Sequence, residues 1–173
     1  NLLGLSPAAL ASAITPWSDR PFRARQLYDA LHRRRVDRLV SVTDLPEALR
    51  AELESRFTLA LPEVTERRDS DDGTVKSLLR LADGASIETV DIPVRDRRTL
   101  CISSQAGCGL ACAFCVTGYW GAGRNLSAGE IVGQVQLVRR LQELPDTLNL
   151  VFMGMGEPLL NLPAVHTALR LLS

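Results

Sequence analysis

The sequence predicts an α/β fold, and two observations carry this prediction. From about residue 99 onward, strand-like apolar runs alternate with helical patterns, and a loop containing glycine follows each run. Strands that alternate with helices are typical of a parallel sheet. Residues 1–58 instead predict a small helical domain, and residues 59–98 predict an antiparallel β-unit. Two strand–helix units are compatible with the start of a parallel barrel and with the start of a doubly wound sheet.

Three helices are predicted in the opening helical domain. Ser6 is a candidate N-cap, with Pro7 at the first helical position. The segment "PFRARQLYDALHRRR" (residues 21–35) has apolar residues at roughly helical spacing. A third apolar stripe runs through residues 45–57, and Asp44 is the candidate cap that precedes it.

Two turn signals mark the middle segment. The first is "DSDDG" (residues 69–73), and the second is the pair Asp83–Gly84, a strong short-range signal for a β-hairpin. Runs that favour β-structure flank the second turn. We therefore expect antiparallel strands here.

The last segment carries the alternation of strands and helices. "TLCISSQ" (residues 99–105) predicts a strand, and Ser127 with Glu130 forms a capping-box pair at the start of a helix. "LNLVFMG" (residues 148–154) is a continuous apolar run of the kind that a buried parallel strand shows. A further helix is predicted from near Leu162.

All four cysteines lie between residues 101 and 115, and Cys108, Cys112 and Cys115 have the spacing CxxxCxxC. A structural zinc site takes four ligands, typically as two separated pairs. Three thiolates suit a four-iron cluster in which one iron lacks a protein ligand and can bind a small molecule. Zinc held by these thiols and Cys101 is the alternative. A disulfide framework is disfavoured in a reducing compartment.

Charge and hydropathy limit the cellular locations and the binding partners that the sequence allows. The formal net charge is zero, so any nucleic-acid surface must be a local patch. No apolar run approaches the roughly 20 residues of a membrane span, and no signal sequence opens the chain. A cytoplasmic location without membrane partners is expected.

Several motifs agree in order and spacing with one known family. They are "ETVDIP" (residues 88–93), "RTLCISSQAGCGLACAFCVTG" (98–118), "GRNLSAGEIVGQV" (123–135) and "MGMGEPLLN" (153–161). Together they resemble the RlmN/Cfr family of radical S-adenosylmethionine (SAM) RNA adenine methyltransferases. The resemblance implies that residues 99–173 begin a radical SAM partial (β/α) barrel. It also implies that residues 1–58 form an RNA-binding accessory domain.

The resemblance implies a 4Fe–4S cluster and SAM as cofactors. The cluster ligands would be the three cysteines of the CxxxCxxC motif. Gly156 and Glu157, in "GMGEP", match the segment that holds the amino group of SAM. A carboxylate suits an ammonium group, and glycine admits a close backbone approach. Taken without its neighbours, this segment is equally consistent with a plain tight turn.

Two further residues match catalytic positions of the family. Cys101 matches the resolving cysteine, which attacks a methylated cysteine and releases the product through a disulfide bond. Glu88 matches the glutamate that accepts the proton of the adenine ring. Without the resemblance, Cys101 is a buried strand residue and Glu88 is a surface charge of a hairpin.

A locally basic segment predicts contact with RNA. Residues 20–38 contain two aspartates, Asp29 and Asp37, and Trp17 and Tyr28 lie close by as candidates for base stacking. A solvated helix face explains the same charges. The arginines of this segment are Arg20, Arg23, Arg25, Arg33, Arg34, Arg35 and Arg38.

The expected activity is methylation of carbon 2 of adenine in large-subunit rRNA and in tRNA, through a methyl-cysteine intermediate and with a flavodoxin-like electron donor. Carbon 8, as in Cfr-type enzymes, stays open, and so does a non-catalytic metal-containing RNA-binding module. The chain starts at Asn1 and stops within a helical pattern, so we expect a fragment. No cysteine follows Cys115, so the methyl-accepting cysteine is missing and this chain alone is expected to be inactive.

Overall fold

The computed structural model describes residues 1–95, 97–145 and 147–173. The helices are α1 (Pro7–Ile14), α2 (Pro21–Tyr28), α3 (Glu47–Arg56), α4 (Val116–Tyr119), α5 (Ala128–Leu141) and α6 (Leu162–Leu172). The strands are β1 (Glu63–Asp69), β2 (Val75–Arg80), β3 (Ser86–Val94), β4 (Arg97–Cys101), β5 (Gln105–Ala106), β6 (Arg124–Asn125) and β7 (Asn149–Val151).

The first two predicted helices are present, and the second changes its hydrogen-bond pattern near its end. The Ser6 hydroxyl caps α1 by accepting from the Ala9 N–H at 3.2 Å. Helix α2 continues as one π-helical turn (Asp29–Arg33) instead of running unbroken through the predicted range. The backbone of Arg35 is left-handed, with φ 52°, and this conformation ends the helical path.

Asp44 does not cap α3, and this prediction was wrong. Pro46 occupies the N-cap position, and no side chain caps the helix. Asp44 lies two residues further upstream and instead forms an ion pair with Arg34, at 2.6 Å. The predicted apolar stripe is confirmed at Leu49 and Leu53, which are buried in the core.

The described residues contain one five-stranded mixed sheet in the order β1-β2-β3-β4-β7. Strands β1 to β4 pair antiparallel, and the two predicted turns lie between β1 and β2 and between β2 and β3. Strand β7 pairs parallel to β4. The antiparallel strands and the parallel pair therefore share a single sheet. The expected domain boundary after residue 98 falls inside β4.

The two faces of the sheet differ in how they are covered. On β3, Ile87 and Thr89 are buried, whereas Glu88 and Val90, which alternate with them, are only partly covered. Helix α5 covers the buried face, where its Gln134 side chain accepts a hydrogen bond from the Thr89 hydroxyl at 3.0 Å. The opposite face, which we term the open face, carries Glu88.

Helix α5 connects the sheet to the helical domain. Its predicted capping box is confirmed, because Ser127 and Glu130 exchange hydrogen bonds at its start. The Gln136 side-chain amide donates to the Leu31 carbonyl at 3.1 Å. Buried residues of the helical domain, of the sheet and of α5 form one hydrophobic core. Within the described residues, no helix is both long enough and apolar enough to cross a membrane.

Candidate functional site

Strands β4 and β7 bring two loops to the same end of the sheet. The cysteine loop (residues 102–123) follows β4, and the turn 152–157 follows β7. The Ile102 N–H donates to the Val151 carbonyl at 2.9 Å, and the Gly154 N–H donates to the Ile102 carbonyl at 3.1 Å. Ligands of parallel sheets bind at the carboxyl ends of the strands. This end is therefore the candidate site.

The cysteine loop presents three free thiols. Cys108, Cys112 and Cys115 are partly exposed, and no cysteine of the chain forms a disulfide in this structure. The Cys108 N–H donates to the Gly121 carbonyl at 3.1 Å, and the Cys115 N–H donates to the Cys112 carbonyl at 3.0 Å. These backbone hydrogen bonds fold the loop that carries the three thiols back on itself.

The surroundings of Cys115 favour its thiolate form. Hydrogen bonds from the backbone N–H groups of Gly118 and Thr117 lower the pKa of the Cys115 thiol. A thiolate is the form that binds metals and iron–sulfur clusters. The chemistry of this donor set therefore fits an iron–sulfur cluster.

The thiols of the loop are not gathered around one point. Across residues 1–95, 97–145 and 147–173, no group of three His, Cys, Asp or Glu side chains has the geometry to hold a metal ion. The thiolates of a four-iron cluster bind separate irons, so its ligands need not converge as those of a single ion do. Phe114, which neighbours Cys115, is 92% exposed and does not shield the loop.

Cys101 differs from the three loop cysteines in its surroundings. Only 7% of the residue is exposed, at the carboxyl end of β4. Burial raises the pKa of the Cys101 thiol, and a hydrogen bond with the backbone of Met153 acts in the opposite direction. Cys101 therefore contacts the turn that follows β7.

Glu88 and Cys101 project from the same face of the sheet. In the antiparallel pairing of β3 with β4, Val90 lies opposite Cys101, and Glu88 is two residues from Val90 along β3. Because side chains alternate between faces, both residues lie on the open face. Glu88 forms an ion pair of 2.6 Å with Lys76, its neighbour on β2 and the only lysine of the chain.

Gly156 and Glu157 lie in the turn after β7. Gly156 has φ 94°, and a Cβ atom there would lie 2.7 Å from the backbone nitrogen of Gln105. Glycine is therefore required for both its backbone conformation and the close approach. The Glu157 carboxylate accepts from the Leu159 N–H at 3.0 Å, which caps the 3-10 helix Pro158–Asn161.

Sequence reasoning missed the polar residues beneath this turn. Ser103 and Gln105 follow β4 and hydrogen-bond to the turn, and the fully buried Gln134 of α5 supports Ser103. The signal was the polar run "SSQ" after an apolar strand, because buried polar groups require specific partners. Asn125 accepts a hydrogen bond from the Gln105 amide at 2.7 Å.

Several members of the basic segment already have partners within the helical domain. Arg34 pairs with Asp44, and Arg33 lies 3.4 Å from Asp29. Trp17 packs edge-on against Phe57, at 6.3 Å between ring centroids, and is partly buried. Part of the predicted RNA-contacting set therefore stabilises the domain itself.

The chain matches known proteins over its whole length. Residues 1–59 match the family model of the ribosomal RNA large subunit methyltransferase N-terminal domain (RlmN_N). A relative from Halorhodospira halophila, named dual-specificity RNA methyltransferase RlmN, is 49% identical over 98% of this chain and 47% of its own length. The protein of the same name from Alkalilimnicola ehrlichii is 49% identical over 100% of this chain and 49% of its own.

A solved structure shares the fold. The crystal structure of a radical SAM methyltransferase from Sphaerobacter thermophilus superposes with a TM-score of 0.88 and is 41% identical. The match covers 99% of this chain and 51% of that structure. This chain thus has the fold of about half of that radical SAM methyltransferase.

Residues 1–59 belong to the RlmN N-terminal domain family, and nearly the whole chain aligns with relatives named RlmN, as its motifs predicted. The chain spans about half the length of the curated relatives it matches. The resemblance drawn from the motifs is confirmed by the match over residues 1–59 and by the relatives that align with nearly the whole chain.

Proposed function

We propose that this chain carries the cofactor-binding part of a radical SAM RNA methyltransferase. The observation that supports this most directly is the shared end of β4 and β7, where the cysteine loop meets the turn 152–157. Cys108, Cys112 and Cys115 would hold a 4Fe–4S cluster, and Gly156 and Glu157 would hold the amino group of SAM. When bound, these cofactors would supply one-electron radical chemistry.

The residues of the open face would take part in the reaction of the substrate. Glu88 would accept the proton of the adenine ring, and its ion pair with Lys76 holds the carboxylate at a fixed place on the sheet. Cys101 would act as the resolving thiol. Its burial protects the thiol until a substrate-linked group is brought to the same face.

The proposed substrates are adenines of large-subunit rRNA and of tRNA, with methylation at carbon 2. The names of the relatives, which describe dual-specificity RNA methyltransferases, support an RNA substrate. Residues 1–58 would contribute RNA contacts, and residues 99–173 would begin the barrel. Residues 59–98 would connect these two parts. A flavodoxin-like electron donor and a cytoplasmic location belong to the same proposal.

Turnover by this chain alone is not expected. The disulfide that would release the product needs a methyl-accepting cysteine, and no cysteine follows Cys115 in this sequence. The testable function of the chain is therefore the binding of the cluster and of SAM.

Anaerobic reconstitution with iron and sulfide, followed by electron paramagnetic resonance of the reduced chain, tests this proposal. We expect a four-iron signal that changes when SAM is added. Cys112→Ala should abolish the signal, whereas Cys101→Ala is the matched control and should retain it. One zinc per chain and no cluster would instead favour the non-catalytic RNA-binding module.

A further inference from the structure

Ser103, two residues beyond β4, joins two parts of the proposed site through its hydroxyl group. The hydroxyl donates to the Glu88 carbonyl at 2.7 Å and accepts from the Met155 N–H at 2.8 Å. Ser103 is completely buried, so water cannot replace either bond. The hydroxyl therefore ties β3, at the proposed proton acceptor, to the turn after β7.

Gln105 holds the same turn two residues further along, at Glu157. Its side-chain oxygen accepts from the Glu157 N–H at 2.9 Å, and its side-chain nitrogen donates to Asn125 at 2.7 Å. The Asn125 amide in turn donates to the Leu160 carbonyl at 3.1 Å. Both ends of the Gln105 amide are thus engaged, which fixes where the backbone of Glu157 lies.

The two glycines of the turn make room for these two side chains. A Cβ atom on Gly154 would lie 2.6 Å from the Ser103 hydroxyl oxygen. At Gly156, the side chain and backbone of Gln105 fill the space that a Cβ atom would need. The sequences "SSQ" and "GMG" are therefore complementary, with Ser103 facing Gly154 and Gln105 facing Gly156.

Gln134 of α5 fixes Ser103 from the covered face of the sheet. Its side-chain oxygen accepts from the Ser103 N–H at 2.8 Å, and its nitrogen donates to the Ser103 carbonyl at 3.0 Å. Gln134 is itself fully buried. Because both backbone groups of Ser103 are held, its hydroxyl has one orientation toward the turn.

We propose that Ser103 and Gln105 are positioning residues for SAM. This inference rests on the proposed function. They act through the Met155 and Glu157 backbone amides and hold the turn in the geometry that receives the ammonium group of SAM. Neither residue needs to touch the cofactor. A turn that is fixed in advance binds its ligand without the cost of ordering the backbone.

Amide hydrogen exchange of the cofactor-free chain tests the positioning itself. Ser103→Ala should speed exchange at Met155, and Gln105→Met should speed exchange at Glu157, each by about tenfold or more. Gln105→Glu retains an acceptor for the Glu157 N–H but loses the donor to Asn125, so its exchange should lie between those of Gln105→Met and the parent chain. Unchanged exchange in both Ser103→Ala and Gln105→Met would overturn the inference, whatever the chain does with SAM.

A SAM titration of the reconstituted chain, followed by electron paramagnetic resonance, tests the link to the cofactor. In Ser103→Ala and Gln105→Met, half-maximal change should need about tenfold more SAM, with unchanged iron content. Leu10→Ala, a core change in α1 distant from the turn, controls for lost stability and should titrate like the parent. Partial rescue by Gln105→Glu is expected, because glutamate restores the acceptor for the Glu157 N–H but not the donor to Asn125.

The outcomes separate the two proposals. A parent chain that binds a cluster but never responds to SAM contradicts the proposed function, whereas the exchange results still report on the turn. Faster exchange with an unchanged SAM titration overturns the inference alone, because the turn would then not govern SAM affinity. If Ser103→Ala fails to fold, the Gln105→Met and Gln105→Glu pair carries the same comparison.

Discussion

The four cysteines show how the surroundings of a residue separate chemically identical side chains. Cys115 lies in a loop where backbone N–H groups stabilise its thiolate, whereas Cys101 lies almost completely buried at the end of a strand. Burial in an apolar environment disfavours the charged thiolate, and donated hydrogen bonds favour it. Thiols at these two positions should therefore react at different rates.

Alkylation of the cofactor-free, reduced chain near neutral pH should reveal this difference. We expect iodoacetamide to modify Cys115 first and Cys101 last, with rates that differ by about tenfold or more. Peptide mass spectrometry after timed quenching measures each site. The rates should converge in denaturant, and a Cys101 that reacts as fast as Cys115 in the folded chain would contradict the burial described here.

Replacement of Gly156 should be more costly than replacement of another glycine with the same backbone conformation. Gly156→Ala adds a clash with Gln105 to the strain of positive φ, whereas Gly84, with φ 87°, has nothing within 4 Å of the added atom. We expect Gly156→Ala to lose about 2–4 kcal/mol of unfolding free energy, and Gly84→Ala to lose about 1–2 kcal/mol. Urea denaturation of both variants measures the difference, and equal losses would show that the clash is relieved.

Among the elements, α5 is the one whose local signals and packing agree most fully. Its capping box was predicted from Ser127 and Glu130, and its apolar residues face the core. Through Gln136, the helix also connects the segment 99–173 to the helical domain. Its start is therefore set by local chemistry, and its position is set by long-range packing.

Removal of the cap should weaken α5 by a modest and measurable amount. Ser127→Ala eliminates the hydroxyl that accepts from the Glu130 N–H at 3.2 Å, and we expect a loss of about 1 kcal/mol. Ser12→Ala, in the exposed part of α1, is the matched control and should change stability by less than about 0.5 kcal/mol. Thermal or urea unfolding compares the two, and a Ser127→Ala variant as stable as the control would show that the cap contributes nothing.

Local patterns predicted the elements better than their partners. The hairpin turn at Asp83–Gly84 and the start of α1 follow from a few adjacent residues, so the sequence was sufficient. Asp44 failed as a cap because the helix begins after Pro46, two residues further along, and Asp44 pairs with Arg34 instead. The Ser103 and Gln105 contacts span about 50 residues, and no local pattern indicates which turn their side chains meet.

At the scale of the whole molecule, the titration of His32 should affect stability. His32 packs against the Tyr28 ring, at 4.6 Å between centroids, beside a cavity of about 150 Å³ whose walls include Arg35 and Arg139. Burial lowers the pKa of His32 from 6.5 to about 4. The neutral imidazole is therefore the form that the fold accepts.

Acid should destabilise the fold through His32. The unfolded chain takes up the proton at a higher pH than the folded chain, so this contribution is complete above pH 6.5 and lost as the pH falls toward 4. Because the His32 side chain is partly exposed, we expect the free energy of unfolding to fall by only about 1–3 kcal/mol. Urea denaturation across this range measures it.

His32→Phe should flatten that dependence. Among the residues that the structure describes, the buried His32 Nε2 has no hydrogen-bond partner, so the variant should also keep its stability at neutral pH. His166→Gln, on an exposed position of α6, controls for the loss of a histidine. A His32→Phe chain that still loses the same free energy between pH 6.5 and 4 would assign the effect to other groups.

The parallel pairing of β4 with β7 has a consequence for the order of folding. Cys101 pairs with Val151 across 50 residues, whereas the hairpins of β1 to β3 close over a few residues each. Contacts between distant residues form later than local ones, because more chain entropy must be lost first. The hairpins should therefore assemble while the cysteine loop is still open on one side. The turn after β7, which contacts Cys101, should therefore reach its final place only after the hairpins have formed.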